Sequence, residues 1–251
     1  MVRMIMHGCN GRMGQMITGI VDRDDEIRIV AGVDINDKQL NDYPVFKTIN
    51  EVNVEADVVV DFGATAAIDN LLSWCKDKKT PCVVCTTGLS EEQIANVSKT
   101  AESVAMLRSA NMSLGINTLI KLLKEAANVF APAGFDVEVV EKHHKMKLDA
   151  PSGTAIALAD AVNEARNNEY TYVYDRSGRR QVRDEKEIGI SAVRGGTIVG
   201  EHDVIFAGED EVITFSHTAY SRAVFAKGAI QAAKFLYNKE PGLYTMADVV
   251  K

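Results

Sequence analysis

The stretch Val2-Arg3-Met4-Ile5-Met6-His7-Gly8-Cys9-Asn10-Gly11-Arg12-Met13-Gly14 decides the fold class of this 251-residue chain. An apolar, strand-like run ends at Gly8, and apolar residues recur at helical spacing from about Arg12 onward. The three glycines, spaced G-x-x-G-x-x-G, let the backbone approach a pyrophosphate while the helix N-terminus supplies free N–H groups. The stretch predicts the first βα unit of a dinucleotide-binding fold, although a tight turn without a ligand has the same pattern.

Strand-like runs continue to alternate with helix-period segments up to about residue 110, as in repeated βαβ units. The predicted strands are residues 2–7, 27–34, 57–61, 82–85 and 104–109. A further helix is predicted to begin after Ser90 as N-cap, with Gln93 placed to complete a capping box. We therefore predict an α/β fold, a Rossmann-like doubly wound parallel sheet, for a first domain over residues 1–112.

The pattern changes after residue 110, where a long helix-period stretch runs to about Pro132. Strand-like runs follow at 136–141, 189–194, 198–207 and 211–217, with one helix among them at about 153–166. Strands on both sides of one helix predict an α+β second domain, residues 113–221, containing a mixed or antiparallel sheet. The arginine-rich segment 167–187 is predicted to be a long excursion, and a C-terminal helix and tail, 222–251, to return to the first domain.

The composition argues against several classes of function. The chain has 28 basic and 35 acidic residues and a net charge of −7, whereas proteins that bind nucleic-acid backbones carry basic surfaces. Its apolar runs are far shorter than the roughly 18 residues that a membrane span requires. The N-terminus also lacks the regions of a secretory signal. We expect a cytoplasmic protein that binds neither nucleic acid nor membrane.

Four cysteines, at positions 9, 75, 82 and 85, do not suggest a disulfide framework in a chain of this length. Cys82-x-x-Cys85 resembles a redox or metal motif, but it lies in a strand-like run. Residues three apart in a strand point to opposite faces, which favours small buried residues. We predict no metal site.

Asp34 follows Gly14 by twenty positions, at the end of the predicted second strand. A carboxylate there accepts hydrogen bonds from the adenosine ribose hydroxyls and repels a 2′-phosphate, although it could simply cap a turn. Asp34 and Ile35 thus favour NADH, while Arg12 and Lys38 leave room for NADPH. The later strand ends should line the same crevice at Asp61-Phe62-Gly63, Cys85-Thr86-Thr87-Gly88 and Ser109-Ala110-Asn111-Met112.

The densest chemical signal is the segment from Glu141 to Ala155, EKHHKMKLDAPSGTA. Two adjacent histidines offer a proton donor near neutral pH, and three lysines offer cations for an anionic substrate. The segment ends in Ser152-Gly153-Thr154 at a predicted helix start, where backbone N–H groups and a hydroxyl can hold a carboxylate. A solvated basic loop followed by an ordinary N-cap is the alternative interpretation.

Four motifs together resemble the 4-hydroxy-tetrahydrodipicolinate reductase family, over about residues 2–236. They are Gly8-x-x-Gly11-Arg12-Met13-Gly14, Thr86-Thr87-Gly88, His143-His144-x-x-Lys147-x-Asp149-Ala150-Pro151-Ser152-Gly153-Thr154-Ala155 and Arg194-Gly195-Gly196-Thr197-Ile198-Val199-Gly200-Glu201-His202. The histidine–lysine motif is specific to that family, whereas many dehydrogenases share the glycine turn.

The resemblance implies NAD(P)H-dependent reduction of 4-hydroxy-tetrahydrodipicolinate to tetrahydrodipicolinate with loss of water, in the diaminopimelate route to lysine. It also implies a homotetramer whose first domain binds the dinucleotide and whose second binds the dicarboxylate substrate and forms the oligomer. His143 matches the family's proton donor, Lys147 its second catalytic residue, and His144, Gly153 and Thr154 its substrate contacts. The positions that match its cofactor site are Gly8, Cys9, Asn10, Gly11, Arg12, Met13, Asp34, Cys85, Thr86, Thr87, Ser109, Ala110, Asn111 and Met112.

Two positions depart from the family pattern. Cys85 stands where a glycine is usual, which puts close backbone approach to a ligand there in doubt. Ile35 stands where some members have an arginine near the 2′-phosphate, which strengthens the NADH preference. Two other interpretations remain beside the resemblance. One is another amino-acid-pathway dehydrogenase with its substrate groups elsewhere, and the other is a non-enzymatic dinucleotide-sensing module.

Overall fold

A computed structural model describes residues 1–109 and 111–250. The chain forms two compact units, Met1–Leu114 with Ala223–Lys251, and Gly115–Arg222. It therefore leaves the first unit once and later returns to it.

Both units combine helices with a β-sheet. The strands are β1 (Val2–His7), β2 (Ile27–Val33), β3 (Val45–Phe46), β4 (Val58–Asp61), β5 (Cys82–Val84), β6 (Ala105–Arg108), β7 (Asp136–His143), β8 (Thr171–Val173), β9 (Glu187–Arg194), β10 (Gly200–Ala207), β11 (Val212–Ala219) and β12 (Gly242–Tyr244). The α-helices are α1 (Arg12–Val21), α2 (Ile68–Lys78), α3 (Glu91–Ala101), α4 (Leu114–Phe130), α5 (Gly153–Ala165), α6 (Ala223–Leu236) and α7 (Met246–Val249). None of the helices in the described residues is long and apolar enough to cross a membrane.

The sheet of the first unit has the order β12-β6-β5-β4-β1-β2-β3, and its neighbouring strands are all parallel. Its strands are buried on both sides: Val58 and Val60 of β4 share a core with α1 and α6, while Val59 shares one with α2 and α3. The prediction of a doubly wound parallel sheet is confirmed. The strand order reverses between β1 and β4, the place where such sheets open a ligand crevice beyond their carboxyl ends.

The sheet of the second unit has the order β11-β10-β7-β9-β8. β10 runs antiparallel to β11 and β7, whereas β9 runs parallel to β7 and β8, so the predicted mixed sheet is confirmed. Residues on alternate positions of β7 face a core shared with α4 and α5. Glu141 and His143 lie on that same buried face because side chains in a strand alternate.

The arginine-rich excursion includes β8 and is anchored to the second sheet by ion pairs. Arg176 and Arg179 both bind Glu187, the first residue of β9, and the Arg179 contact is 2.6 Å long. Arg183 binds Asp136 at 2.7 Å. The predicted excursion is therefore a charged strap on the second sheet, in which Arg176, Arg179 and Arg183 have acidic partners.

Candidate active site

The glycine turn between β1 and α1 has the geometry of an anion cradle. Gly8 has a φ of +80°, and a Cβ on Gly14 would lie 2.3 Å from the carbonyl oxygen of Gly8, so the helix starts directly on the turn. Gly11 is the N-cap of α1, and no side chain of the described residues caps it there. The first-turn N–H groups of α1 are thus available to a phosphate, and the site fits the pyrophosphate of a dinucleotide.

Asp34 joins the turns that follow β1 and β2. Its two carboxylate oxygens accept the backbone N–H groups of Asn10, at 3.0 Å, and Asn36, at 3.1 Å. The Asn10 side chain adds a bond of 2.6 Å to the carbonyl oxygen of Asn36. A carboxylate oxygen has a second lone pair, so Asp34 can shape these turns and still accept a ribose hydroxyl.

A cleft of about 410 Å³ lies at the carboxyl ends of β1, β2 and β4. It brings together three residues of the predicted cofactor site, Gly8, Gly11 and Asp34, and adds Ile35, whose side chain is almost fully exposed. The remaining lining is His7, Val33, Lys47, Thr48, Ile49, Phe62, Gly63, Ala64, Ala67 and Asn70. The cleft has the position expected for the adenosine half of a dinucleotide.

The other predicted cofactor residues differ in how they could contact a ligand. Cys9 and Met112 are buried in the core, so only their backbone is available, while Arg12 and Thr87 are exposed and Met13 is half-buried. The hydroxyl of Ser109 donates to the carbonyl oxygen of Asn111 at 3.2 Å. Ala110 lies outside the described residues.

The turn after β5 is fixed to β4 through Asp61. The N–H of Cys85 donates to the carbonyl oxygen of Asp61 at 2.9 Å, and the hydroxyl of Thr86 donates to its carboxylate at 2.8 Å. Burial raises the pKa of the Cys85 thiol well above its ordinary value, and the charge of Asp61 adds to this effect. A thiol with a raised pKa carries little thiolate at neutral pH, which disfavours a nucleophilic role for Cys85.

In the second unit, Glu141 organises the end of β7. Its side chain has no exposed surface, and its carboxylate accepts hydrogen bonds from Nδ1 of His143 at 2.6 Å and the N–H of Ser152 at 2.9 Å. The guanidinium of Arg194 adds two bonds of 2.6 and 2.7 Å. Burial alone raises the pKa of Glu141, but the bonds from Arg194 and His143 outweigh it and leave that pKa below the ordinary value. Glu141 is thus a charged acceptor that fixes the ring of His143.

The ring of His202 packs beside this cluster. The ring centroids of His143 and His202 are 5.1 Å apart, and Nε2 of His202 lies 3.1 Å from the Ser152 hydroxyl. Burial, followed by the nearby His143, lowers the pKa of His202 to about 4. His202 is therefore uncharged at neutral pH.

The turn between β7 and α5 carries the other predicted substrate residues. Nζ of Lys147 lies 2.8 Å from the carboxylate of Asp149, and this contact is the main reason that the pKa of Asp149 is lowered. The backbone N–H of Lys147 donates to the carbonyl oxygen of His144 at 3.1 Å. α5 begins at Gly153, which is exposed, and the N-cap is Ser152, whose hydroxyl accepts the N–H of Ala155. Thr154 lies in the first turn of α5, so the second unit contains all five predicted catalytic and substrate residues.

Sequence reasoning assigned no role to Glu141, Arg194 or His202. Strand alternation could have placed Glu141 beside His143, because the two residues are two positions apart. Arg194 and His202 come from β9 and β10, which flank β7 in the sheet. No local pattern reveals that neighbourhood.

Two family models match the chain. The model of the dihydrodipicolinate reductase N-terminus matches residues 2–112, and that of its C-terminus matches residues 115–250. The chain belongs to the dihydrodipicolinate reductase family. The resemblance inferred from the four motifs is confirmed, and the chain is a pyridine-nucleotide-dependent oxidoreductase.

Relatives of this reductase family align over its full length. The chain is 55% identical over 251 residues to the 4-hydroxy-tetrahydrodipicolinate reductase of Caldanaerobacter subterraneus subsp. tengcongensis, covering 100% of this chain and 99% of the relative. It is 46% identical to the enzyme of that name from Clostridium tetani, covering 98% and 96%. Among solved structures, dipicolinate-bound dihydrodipicolinate reductase from Paenisporosarcina sp. TG-14 has a TM-score of 0.82 at 26% identity, covering 98% and 97%.

Proposed function

We propose that this reductase converts 4-hydroxy-tetrahydrodipicolinate to tetrahydrodipicolinate, with loss of water, in the diaminopimelate route to lysine. Family membership supports the reaction, and the cluster of His143, Glu141 and Arg194 at the end of β7 is the observation that carries it. An imidazole fixed by a buried carboxylate is a common arrangement for proton transfer.

His143 is proposed to supply the proton that the reduction requires. A bound reduced nicotinamide supplies the hydride. Because Nδ1 of His143 faces Glu141, Nε2 is the ring nitrogen that can deliver a proton to the substrate. Lys147 is proposed to stabilise negative charge that develops on the ring during the reduction. Its contact with Asp149 holds the ammonium group in the turn that precedes α5.

The substrate is proposed to be held as a dicarboxylate by His144, Gly153 and Thr154. Gly153 and Thr154 lie in the first turn of α5, where backbone N–H groups and the positive end of the helix dipole favour a carboxylate. The dipicolinate in the related structure from Paenisporosarcina sp. TG-14 supports a ligand of this class.

The cofactor is proposed to bind the first unit through the Gly8–Met13 turn, Asp34, and the turns at 85–87 and 109–112. We propose a preference for NADH, since Asp34 borders the cleft together with the uncharged Ile35. Arg12 and Lys38 leave room for NADPH. The second unit would then bind the substrate.

We also propose a homotetramer and a cytoplasmic location, where reduced pyridine nucleotides are supplied. The second sheet supports the assembly, because α4 and α5 cover only one of its faces. The other face exposes side chains such as Val193 and Thr214, which a partner subunit could cover.

A coupled assay tests the proposed function. Dihydrodipicolinate synthase generates the substrate, and oxidation of NADH and NADPH is followed separately. We expect faster oxidation of NADH, and no oxidation of either cofactor would refute the proposal. His143→Ala should lower kcat by about 10²–10⁴-fold, the usual contribution of a general acid, with little change in NADH affinity. Lys147→Ala should also lower kcat, whereas the exposed Lys145→Ala in the same turn should not.

A further inference from the structure

A buried ionisable pair lies beside the proposed cofactor cleft without any role in the mechanism above. His7 is the last residue of β1 and Asp61 the last of β4, and the two are paired neighbours across the sheet. Nδ1 of His7 lies 2.6 Å from Oδ1 of Asp61, and the residues are 7% and 1% exposed. Burial of such a pair is costly unless the surrounding groups hold it in good geometry.

Asp61 has the partners that fix this geometry. Its Oδ1 also accepts the N–H of Gly63 at 2.9 Å, and its Oδ2 accepts the hydroxyl of Thr86 at 2.8 Å. The carboxylate thereby connects the turns that follow β4 and β5 to the end of β1. Because Gly63 and Thr86 fix the carboxylate, Asp61 holds the His7 ring by its Nδ1 edge.

The ring of His7 packs against Gly63, where any larger residue would collide with it. A Cβ on Gly63 would lie 2.6 Å from both Cε1 and Nδ1 of His7. His7 also borders the 410 Å³ cleft, together with Gly8 and Asp34. Because its Nδ1 edge faces Asp61, the edge that carries Nε2 is the one available to a ligand in the cleft.

We propose that His7 is a cofactor-binding residue whose Nε2 hydrogen-bonds a sugar or phosphate oxygen of the adenosine half of the dinucleotide. The cleft runs from the Gly8 turn to Asp34, which is the adenosine side of such a fold. The inference rests on the dinucleotide site proposed above. A hydrogen bond of this kind changes affinity by roughly three- to tenfold.

Binding of ADP-ribose, measured by isothermal titration calorimetry, tests the inference without any turnover. His7→Asn is the decisive variant, because its amide nitrogen replaces Nδ1 and keeps the Asp61 bond but leaves nothing at the position of Nε2. We expect His7→Asn to raise the Kd of ADP-ribose by roughly three- to tenfold. His7→Gln, whose amide reaches the Nε2 position, should recover part of this loss.

Shorter ligands identify the oxygen that His7 contacts. If adenosine also loses affinity in His7→Asn, the partner is a ribose hydroxyl. If AMP and ADP-ribose lose affinity and adenosine does not, the partner is a phosphate. Either pattern supports the proposal, and an unchanged Kd for all three ligands overturns it.

A control variant separates contact from stability. Tyr43→Phe removes a buried hydrogen bond of 2.9 Å to Thr18 in the same unit, away from the cleft lining. It should leave the Kd of ADP-ribose unchanged, and an equal rise in both variants would overturn the proposal. Wild-type protein that binds no ADP-ribose would instead refute the proposed dinucleotide site as a whole.

Discussion

Glu141 binds three groups at once: the His143 ring, the Arg194 guanidinium and the N–H of Ser152. Each contact acts on the proposed proton donor. Arg194 keeps the carboxylate charged despite complete burial, and the charged carboxylate fixes the ring of His143 through Nδ1. The Ser152 contact joins this pair to the start of α5, where the substrate carboxylates are proposed to bind.

Glu141→Gln should therefore weaken proton donation, because a neutral amide accepts hydrogen bonds on one atom only and no longer pairs with the charge of Arg194. We expect kcat to fall by about 10- to 100-fold, because the ring of His143 loses its charged, fixed acceptor. Steady-state assays at one fixed pH measure the effect. Glu138→Gln, on the same strand but bonded to Arg176 and Arg183, is the matched control. An unaltered kcat in Glu141→Gln would show that the carboxylate has no influence on the reaction.

The cluster at the end of β7 could be predicted from sequence only where its residues are adjacent along the chain. His143, His144, Lys147, Gly153 and Thr154 fall within one short segment and carry a recognisable spacing. Arg194 reaches Glu141 only because β9 pairs with β7, a long-range contact with no local signature. Glu141 needs a charged partner because the folded sheet buries its carboxylate. The local sequence does not reveal that burial.

Prediction from the sequence is limited in the same way for short strands at the edges of the sheets. The central strands were predicted within a few residues, because long apolar runs buried on two sides have a strong pattern. β3, β8 and β12 lie at sheet edges and are two or three residues long. Such short strands exist because a neighbour offers hydrogen bonds, so their own sequence does not distinguish them from loops.

In the charged strap, one buried carboxylate binds two of the arginines. Glu187 is 1% exposed and binds Arg176 and Arg179. Burial acts to raise the pKa of Glu187, but bonds from the two arginines outweigh it and the net pKa is lowered. Loss of this charge leaves both arginines without their shared partner.

Glu187→Gln should therefore release the strap from the sheet. We expect trypsin to cleave after Arg176, Arg179 or Arg183 roughly tenfold faster, since charged hydrogen bonds contribute about 1.5–3 kcal/mol each to closing such a segment. Mass spectrometry of timed digests identifies the cleavage points. The exposed Glu185→Gln, two residues away, should be cleaved at the wild-type rate. Equal rates for both variants would mean that other contacts hold the strap.

The stability of the whole molecule should fall in acid because of His202. Its native pKa is about 4, against an ordinary value of 6.5. Unfolded chains bind the extra proton first, so the contribution of His202 to stability is complete above about pH 6.5 and is lost as the pH falls toward 4. At pH 5 the loss amounts to about 2 kcal/mol.

Urea unfolding at pH 7 and pH 5 measures this contribution. In His202→Gln, whose amide can still bond the Ser152 hydroxyl, the free energy of unfolding should fall less between the two pH values, by about 2 kcal/mol. His217, whose pKa burial also lowers, remains in the variant and accounts for part of the residual acid sensitivity. An unchanged pH dependence would mean that His202 is protonated as easily in the native state as in the unfolded chain.

The return of the chain to its first unit has a consequence for synthesis on the ribosome. Ala226, Ile230 and Leu236 of α6 cover part of one face of the first sheet, and they follow the second unit along the chain. Between the emergence of β6 and that of α6, the ribosome must add the whole second unit, a delay on the order of ten seconds at typical translation rates. Throughout that interval the first sheet lacks α6, and Met4, Met6, Val58 and Val60 have only α1 to cover them. The second unit, whose strands and helices are consecutive, can complete its own core first. Chaperones that bind apolar surface would therefore meet the sheet of the first unit before α6 covers it.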